Sequence, residues 1–165
     1  MADKNVDISI DIINPEDEYK LWLSYAKDDF DVAEYVNNGP FHPKPYNIIC
    51  YHYQQAAEKA AKALVVYYKR PGGMAKKHDV DFQLNQIKNI IKDDKGIAIS
   101  EDLMNMASDI SIYASEPRYP NEVPSDESDV VKARKYCITI MDWVKKVIDA
   151  PTVTDGTKKQ EGSGS

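Results

Sequence analysis

Residues 51–64 read Tyr-His-Tyr-Gln-Gln-Ala-Ala-Glu-Lys-Ala-Ala-Lys-Ala-Leu, and this stretch decides the fold. Around it, apolar residues recur at steps of three and four from Ile49 to Tyr67, which is the period of an amphipathic helix. Five alanines among residues 56–63 carry little side-chain bulk, so a neighbouring helix can approach closely. The stretch therefore predicts a long, closely packed helix that begins after Pro45 and runs to about Lys69.

Four further segments of the chain show the same helical period. Proline, glycine and capping residues set their limits, because these residues begin or end helices for steric and hydrogen-bonding reasons. The predicted helices run from Pro15 to about Asn37, from the cap Asp79 to the turn at residues 93–96, from the cap Ser100 to about Ala114, and from a cap at Ser125 or Ser128 to Pro151.

The domain organisation follows from these helices and from a length of 165 residues, which favours one domain. We predict an all-α fold over residues 15–150, an up-and-down antiparallel bundle of four to five helices. In residues 1–14, Ile8, Ile10 and Ile12 lie at alternate positions, which predicts a short strand or an extended N-terminal arm. Residues 151–165 are polar, and we predict a disordered tail there.

The composition limits the classes of function. Acids outnumber bases by 27 to 21, and this net charge of -6 argues against a protein that coats duplex nucleic acid. No apolar run is long enough to cross a membrane, and the N-terminus lacks the pattern of a secretory signal. Cys50 and Cys137 are too few for a disulfide framework, so we expect buried thiols and a cytoplasmic protein.

The charge is distributed unevenly along the chain. Residues 16–39 hold seven acids and two lysines, whereas residues 59–78 hold six basic residues and no acid. Part of the basic segment falls on one stripe of the central helix, which comprises His52, Gln55, Lys59, Lys62 and Lys69.

Two interpretations of this stripe remain open. It can form an anion site for a phosphate group or an RNA backbone. Alternatively, the lysines lie on a solvated face, where Lys62 pairs with Glu58 four residues earlier. The second interpretation is the more common one for a charged helical stripe.

The order of three motifs resembles the HEPN domain family. The motifs are the run from Gln54 to Leu64, then Lys77-His78-Asp79, then Arg118-Tyr119-Pro120, and the resemblance covers roughly residues 19–148. It implies an up-and-down helical bundle that often pairs as a homodimer. Many family members are encoded beside, or fused to, a minimal nucleotidyltransferase, and some such pairs are toxin–antitoxin systems. The family name reflects a proposed nucleotide-binding role.

Other members of that family are metal-independent ribonucleases, which use an Arg, four to six intervening residues and a His. Seven residues separate Arg70 from His78, and no His follows Arg118, so neither arginine matches this spacing. We therefore expect a binding module without catalytic residues. The alternatives are a divergent ribonuclease, in which folding brings His78 to Arg70 or Arg118, and a purely structural dimerisation module.

The sequence predicts neither a metal site nor a cofactor. A di-metal carboxylate bundle needs Glu-x-x-His pairs, and the residues three after Glu34 and Glu58 are Asn37 and Ala61. The expected partners are instead a nucleotide or RNA segment, a nucleotidyltransferase and a second copy of the chain.

The strongest candidate for ligand binding is the Arg118-Tyr119-Pro120 loop, which its prolines hold extended. Its arginine can grip a phosphate or carboxylate with two hydrogen bonds, or it can anchor the loop to a helix end. His78 can contact phosphate or act as a base, or it can bond the backbone beside the predicted cap Asp79. The full set of candidate ligand-binding residues is Arg118, Tyr119, His78, Lys59, Lys62 and Arg70.

The eleven tyrosines fall into groups. Tyr53, Tyr67 and Tyr68 lie on apolar seams and are predicted to be core residues with a polar tip. Other tyrosines can stack on bases or line a dimer interface, and the sequence leaves these two roles open for Tyr46, Tyr51, Tyr113 and Tyr119.

Overall fold

The computed structural model describes residues 14–68, 79–114 and 123–153, and these ranges contain helices and no β-strand. Short 3-10 turns occupy Pro15–Asp17 and Ile112–Ala114, and five α-helices make up the bundle: α1 (Glu18–Asn38), α2 (Tyr46–Tyr67), α3 (Val80–Lys95), α4 (Glu101–Ser111) and α5 (Glu127–Asp149). The predicted all-α bundle of four to five helices is confirmed. Nearly all of the predicted N-terminal arm and tail lie outside the described residues, so both stay predictions.

Helix α2 forms the centre of the bundle. The five alanines of residues 56–63 are fully buried, and Tyr53 and Leu64 are buried beside them. Helices α1 and α5 pack most extensively against α2, and α3 packs against another side of it. The alanines allow this close approach from several directions, since they place almost no bulk between the helix backbones.

Helices α1 and α5 flank α2 and run in opposite directions. The ring of Tyr19, at the start of α1, meets the ring of Tyr67, at the end of α2, edge to face at 5.2 Å between centroids. The backbone N–H of Ser125, just before α5, donates to Oδ1 of Asn47 in the first turn of α2 at 2.6 Å. Helix α1 is therefore antiparallel to α2, and α5 is parallel to it.

Helix α3 runs in the same direction as α2, because their last residues meet. The Tyr68 hydroxyl donates to Oδ2 of Asp94 at 3.0 Å. Nζ of Lys95, whose side chain is buried, donates to the carbonyl oxygen of Ala150 at 2.6 Å, which joins the ends of α3 and α5. Helix α4 returns antiparallel to α3, so that its end reaches the start of α3.

The helix caps agree with the sequence prediction at α4 and differ at α5. The Ser100 side chain accepts a backbone N–H of the first turn of α4, as predicted. The predicted cap of α5 at Ser125 or Ser128 is wrong. Asp126 is the cap: its side chain accepts the backbone N–H groups of Ser128 and Asp129, and the Asp129 carboxylate accepts that of Asp126. This reciprocal arrangement satisfies more of the free N–H groups than one serine hydroxyl can.

Two further expectations concern membrane insertion and the thiols. Cys50 and Cys137 are buried and free, as predicted. Within the described ranges, none of the helices combines the length and the apolar character needed to cross a membrane.

Candidate functional site

Two basic residues of the α2 stripe contact one carboxylate of the acidic helix α1. Asp29 of α1 bonds through one carboxylate oxygen to Nζ of Lys59, and its other oxygen lies 2.9 Å from Nδ1 of His52. The Lys59 side chain keeps 27% of its surface exposed. We call these three residues the Asp29 cluster, in which a single carboxylate contacts both basic side chains.

A second group of side chains surrounds a buried carboxylate of α2, and we call it the Glu58 cluster (Trp22 of α1 with Gln54, Gln55, Glu58 and Lys62 of α2). Oε1 of Glu58 accepts from Nζ of Lys62 at 2.6 Å. Oε2 accepts from Nε2 of Gln54 at 3.1 Å and from Nε2 of Gln55 at 3.2 Å. The Lys62 ammonium also lies 5.4 Å from the centre of the Trp22 ring. The predicted pairing of Glu58 with Lys62 is confirmed.

These two clusters show where the predicted binding lysines are placed. Both ammonium groups already have a carboxylate partner, and only 18% of the Lys62 side chain is exposed. Desolvated ammonium groups of this kind are stable because they are paired. Lys59 therefore joins α2 to α1 through Asp29, whereas Lys62 pairs within α2.

A third polar group links α1, α2 and α5. The hydroxyl of the buried Tyr53 donates to Oε1 of Glu34 at 2.6 Å, and Arg134 donates to the same carboxylate through Nε at 2.6 Å and through one terminal nitrogen at 3.3 Å. Burial acts to raise the pKa of Glu34, but the hydrogen bonds from Arg134 and Tyr53 outweigh it, so the pKa is lowered. Burial and the bond to Glu34 raise the pKa of Tyr53.

At neutral pH, this hydrogen-bonded group of Tyr53, Glu34 and Arg134 therefore holds a charged carboxylate between a neutral phenol and a charged guanidinium. The sequence prediction missed Glu34 and Arg134 as a pair, because one hundred residues separate them. The sequence signal was limited to Tyr53, whose place on the apolar seam requires a partner for its hydroxyl.

The start of α3 is held by the end of α4. The backbone N–H of Val80 donates to Oγ of Ser111 at 2.9 Å, and that hydroxyl donates to the carbonyl oxygen of Ala107 at 2.7 Å. Asp79 occupies the cap position, but its side chain makes no capping hydrogen bond. The predicted capping bond is therefore not formed, and Ser111 satisfies the first N–H of α3 instead.

Four of the six candidate ligand-binding residues lie outside the described residues: Arg70, His78, Arg118 and Tyr119. The described residues nearest to them are the points where their segments join the bundle. The segment with His78 joins at Asp79, and the segment with Arg118 and Tyr119 begins after Ala114.

The model of the HEPN domain matches residues 19–147. The chain belongs to the HEPN domain family. The match includes all five helices of the bundle, apart from the outermost residues of α1 and α5.

Two solved structures share the fold of this HEPN chain. ST0689, an archaeal HEPN homologue, is 23% identical with a TM-score of 0.54, and the alignment covers 79% of this chain and 98% of that one. TT1696 from Thermus thermophilus is 22% identical with a TM-score of 0.63 and the same coverage. No curated protein matches the chain significantly.

The tyrosines of the HEPN bundle differ in how deeply they are buried. Tyr53 is fully buried and Tyr68 is partly buried, and both donate to carboxylates, as predicted for core residues with a polar tip. Tyr113 is buried, and its hydroxyl donates to Oδ1 of Asp129 at 2.7 Å. Base stacking is therefore wrong for Tyr113, whereas Tyr46 and Tyr51 are only partly buried.

The thiols of the bundle are poor nucleophiles. Burial raises the pKa of Cys50 to about 12 and raises that of Cys137 as well. A thiol reacts as its thiolate, and these shifts leave almost none at neutral pH. In the three described ranges, His, Cys, Asp and Glu form no group of three that could hold a metal ion.

Proposed function

We propose that this HEPN chain is a non-catalytic binding module for an anionic ligand, a nucleotide or an RNA segment. The proposed site lies at the end of the bundle where α3 begins and α4 ends. The hydrogen bond between Val80 and Ser111 supports this location, because it joins the two helix ends from which the candidate segments extend.

Chain length limits how far the candidate residues can lie from this end. His78 precedes Val80 by two residues, which keeps it within about 7 Å of that residue. Arg118 follows Ala114 by four residues, which keeps it within about 14 Å of Ala114. Two motifs that are forty residues apart in the sequence are therefore attached to neighbouring points of the bundle.

Arg70 is attached to the opposite end. It follows Tyr68 by two residues, and the Tyr68 hydroxyl meets Asp94 at the end of α3. The 16 residues of α3, about 24 Å of helix, separate that end from Val80. The proposed contacts are therefore Arg118, Tyr119 and His78, while Arg70 and the paired residues Lys59 and Lys62 contribute only to the surrounding potential.

The chemistry of these three residues suits a nucleotide. A guanidinium forms two parallel hydrogen bonds to a phosphate, a phenol ring stacks on a base, and an imidazole donates to a phosphate oxygen. We propose a cytoplasmic protein whose partner is a minimal nucleotidyltransferase, a second copy, or both, as in toxin–antitoxin pairs.

Thermal unfolding of the full chain tests the proposed site, with adenosine and guanosine nucleotides and a short single-stranded RNA as probes. We expect at least one probe to raise the melting temperature of the wild type, because a ligand that binds only the folded state stabilises it. Arg118→Ala should abolish the shift that at least one of these probes produces, and the surface variant Lys132→Ala should keep it. If no probe shifts the wild type, or if every probe shifts Arg118→Ala as much as the wild type, the proposed site is wrong.

A ribonuclease that uses Arg118 with His78 is the second candidate function, and the same hydrogen bond between Val80 and Ser111 favours it. The test is to incubate mixed RNA with purified wild type and with His78→Ala. Cleavage that disappears in the variant would establish this activity. Intact RNA in both samples would leave binding as the function.

A structural dimerisation module is the third possibility, and the mass of the protein in solution tests the pairing. We expect the mass of a homodimer from light scattering after size exclusion. A monomer mass, in the presence and absence of a co-expressed nucleotidyltransferase, would contradict both proposed partners.

A further inference from the structure

A groove of about 540 Å³ opens at the end of the bundle where α1 ends and α2 begins. Its walls come from the last turn of α1, the segment that leads into α2 and the first half of α5. No residue of α3 or α4 lines it, so it is separate from the site proposed above. Its volume lies within the range of sites that hold small organic ligands.

The groove carries more positive than negative charge. Lys44, Arg134 and Lys135 line it together with the carboxylate of Glu127, and Arg134 is paired with Glu34. Across the described residues, Lys44 and Lys135 form no ion pair, in contrast to Lys59 and Lys62 of the α2 stripe. Two cationic groups are therefore available to an external anion.

The guanidinium of Arg134, which lines this groove, is already oriented by hydrogen bonds. Two of its nitrogens donate to Glu34, and Glu34 is fixed in turn by the hydroxyl of buried Tyr53. A guanidinium has five N–H donors, so donors remain for a ligand, and 46% of the side chain is exposed. An arginine that is already oriented loses little conformational entropy when it binds an anion.

The remaining walls suit a planar apolar group. Tyr46 offers an aromatic ring, and Val130 and Ile138 offer aliphatic surface. Asn37 and Asn38 also line the groove, and the amide nitrogen of Asn38 already donates to the carbonyl oxygen of Glu34 at 2.9 Å. A few polar groups around an apolar wall are typical of a small-molecule site.

We propose that this groove binds a small phosphomonoester that carries a planar ring, with its phosphate on Lys44, Arg134 and Lys135 and its ring on Tyr46. A small ester fits better than a long polyanion. The protein has a net charge of -6, so a nucleic acid that extends beyond the groove meets more repulsion than a single phosphate does.

Titration calorimetry on the full chain at low salt tests this inference, with phenyl phosphate and adenosine 5′-monophosphate as the ring-bearing probes. We expect saturable binding of at least one ester. The double variant Lys44→Ala/Lys135→Ala should weaken it by about tenfold or more, because each lost charged hydrogen bond carries about that factor. Lys132→Ala, an exposed lysine of the same helix outside the groove, should stay within about twofold of the wild type.

Tyr46→Leu separates the two halves of the proposed ligand. It should weaken binding of the esters by about fivefold or more, and it should leave the affinity for inorganic phosphate unchanged. Binding of both esters indicates a general aryl phosphate site, and binding of the adenosine ester alone indicates a nucleotide site. Absence of binding by either ester, or equal affinity of the wild type and the double variant, overturns the inference.

Arg118→Ala distinguishes this groove from the site at the start of α3. The groove predicts wild-type affinity for the esters in that variant. Loss of ester binding in Arg118→Ala, together with retention in Lys44→Ala/Lys135→Ala, would assign the ester to the other site and refute the groove. If the groove proposal is refuted in this way, the test of the proposed function still applies.

Discussion

The α2 stripe and the groove beside α5 both contain lysines, but their ammonium groups have different surroundings. Lys59 and Lys62 face the carboxylates of Asp29 and Glu58. Lys44 and Lys135 have no carboxylate partner among the described residues. Lys59 therefore joins α2 to α1 and Lys62 pairs within α2, whereas the two groove lysines keep their charge available. A cluster of bases in the sequence does not identify a binding site until packing shows which bases are already paired.

The largest effect on folding should come from Glu58→Ala. This change leaves Lys62 without its carboxylate in a mostly buried place and removes the acceptor of two glutamine amides. We expect a loss of about 2–3 kcal/mol in the free energy of unfolding, measured by urea denaturation. Glu58→Gln, which keeps an acceptor, should lose less. A loss below about 1 kcal/mol for Glu58→Ala would show that the cluster is not structural.

A smaller, pH-dependent effect should come from Glu34, which connects the core to the groove. Its pKa in the folded protein is lowered from the ordinary value of 4.5, so its charged form stabilises the fold at higher pH. That contribution is present above about pH 4.5 and is lost as the pH falls through the lower folded value. The difference in unfolding free energy between the wild type and Glu34→Gln should therefore be largest near neutral pH and decrease below 4.5. A constant difference across this range would show that the charged form of Glu34 is not stabilised by Arg134 and Tyr53.

The smallest effect on folding should come from Lys44→Ala and Lys135→Ala. Neither ammonium group has a carboxylate partner to lose among the described residues, so each change should alter the free energy of unfolding by less than about 0.5 kcal/mol. The same urea denaturation series measures it. A loss above about 1 kcal/mol would mean that the groove lysines, like those of the stripe, serve the packing.

The sequence predicts the helices well because burial repeats with the helical period. The seam around Tyr53 and Leu64 and the cap at Ser100 are local patterns, and both are confirmed. The cap of α5 was missed because serine and aspartate compete for that role within four residues. Asp126 forms it, since Asp129 can return the bond.

The candidate site was harder to predict because its partners are distant in the sequence. Asp29 and Lys59 are 30 residues apart, and Glu34 and Arg134 are 100 apart, so spacing alone cannot show that they meet. The pairing of Lys62 with Glu58 could be predicted because both lie on α2, but the pairing of Lys59 with Asp29 depends on how α1 packs against α2. The groove was missed for the same reason, because three separate segments supply its walls.

The buried bond between Lys95 and Ala150 has a consequence for the dynamics of the bundle. Helix ends commonly fray, and their amide hydrogens then exchange with solvent independently of each other. Here the ammonium group at the end of α3 holds the carbonyl that directly follows α5, and it lies 5.8 Å from the centre of the Tyr67 ring. We expect the ends of α2, α3 and α5 to open in one event, so that their slow amides exchange at a common rate.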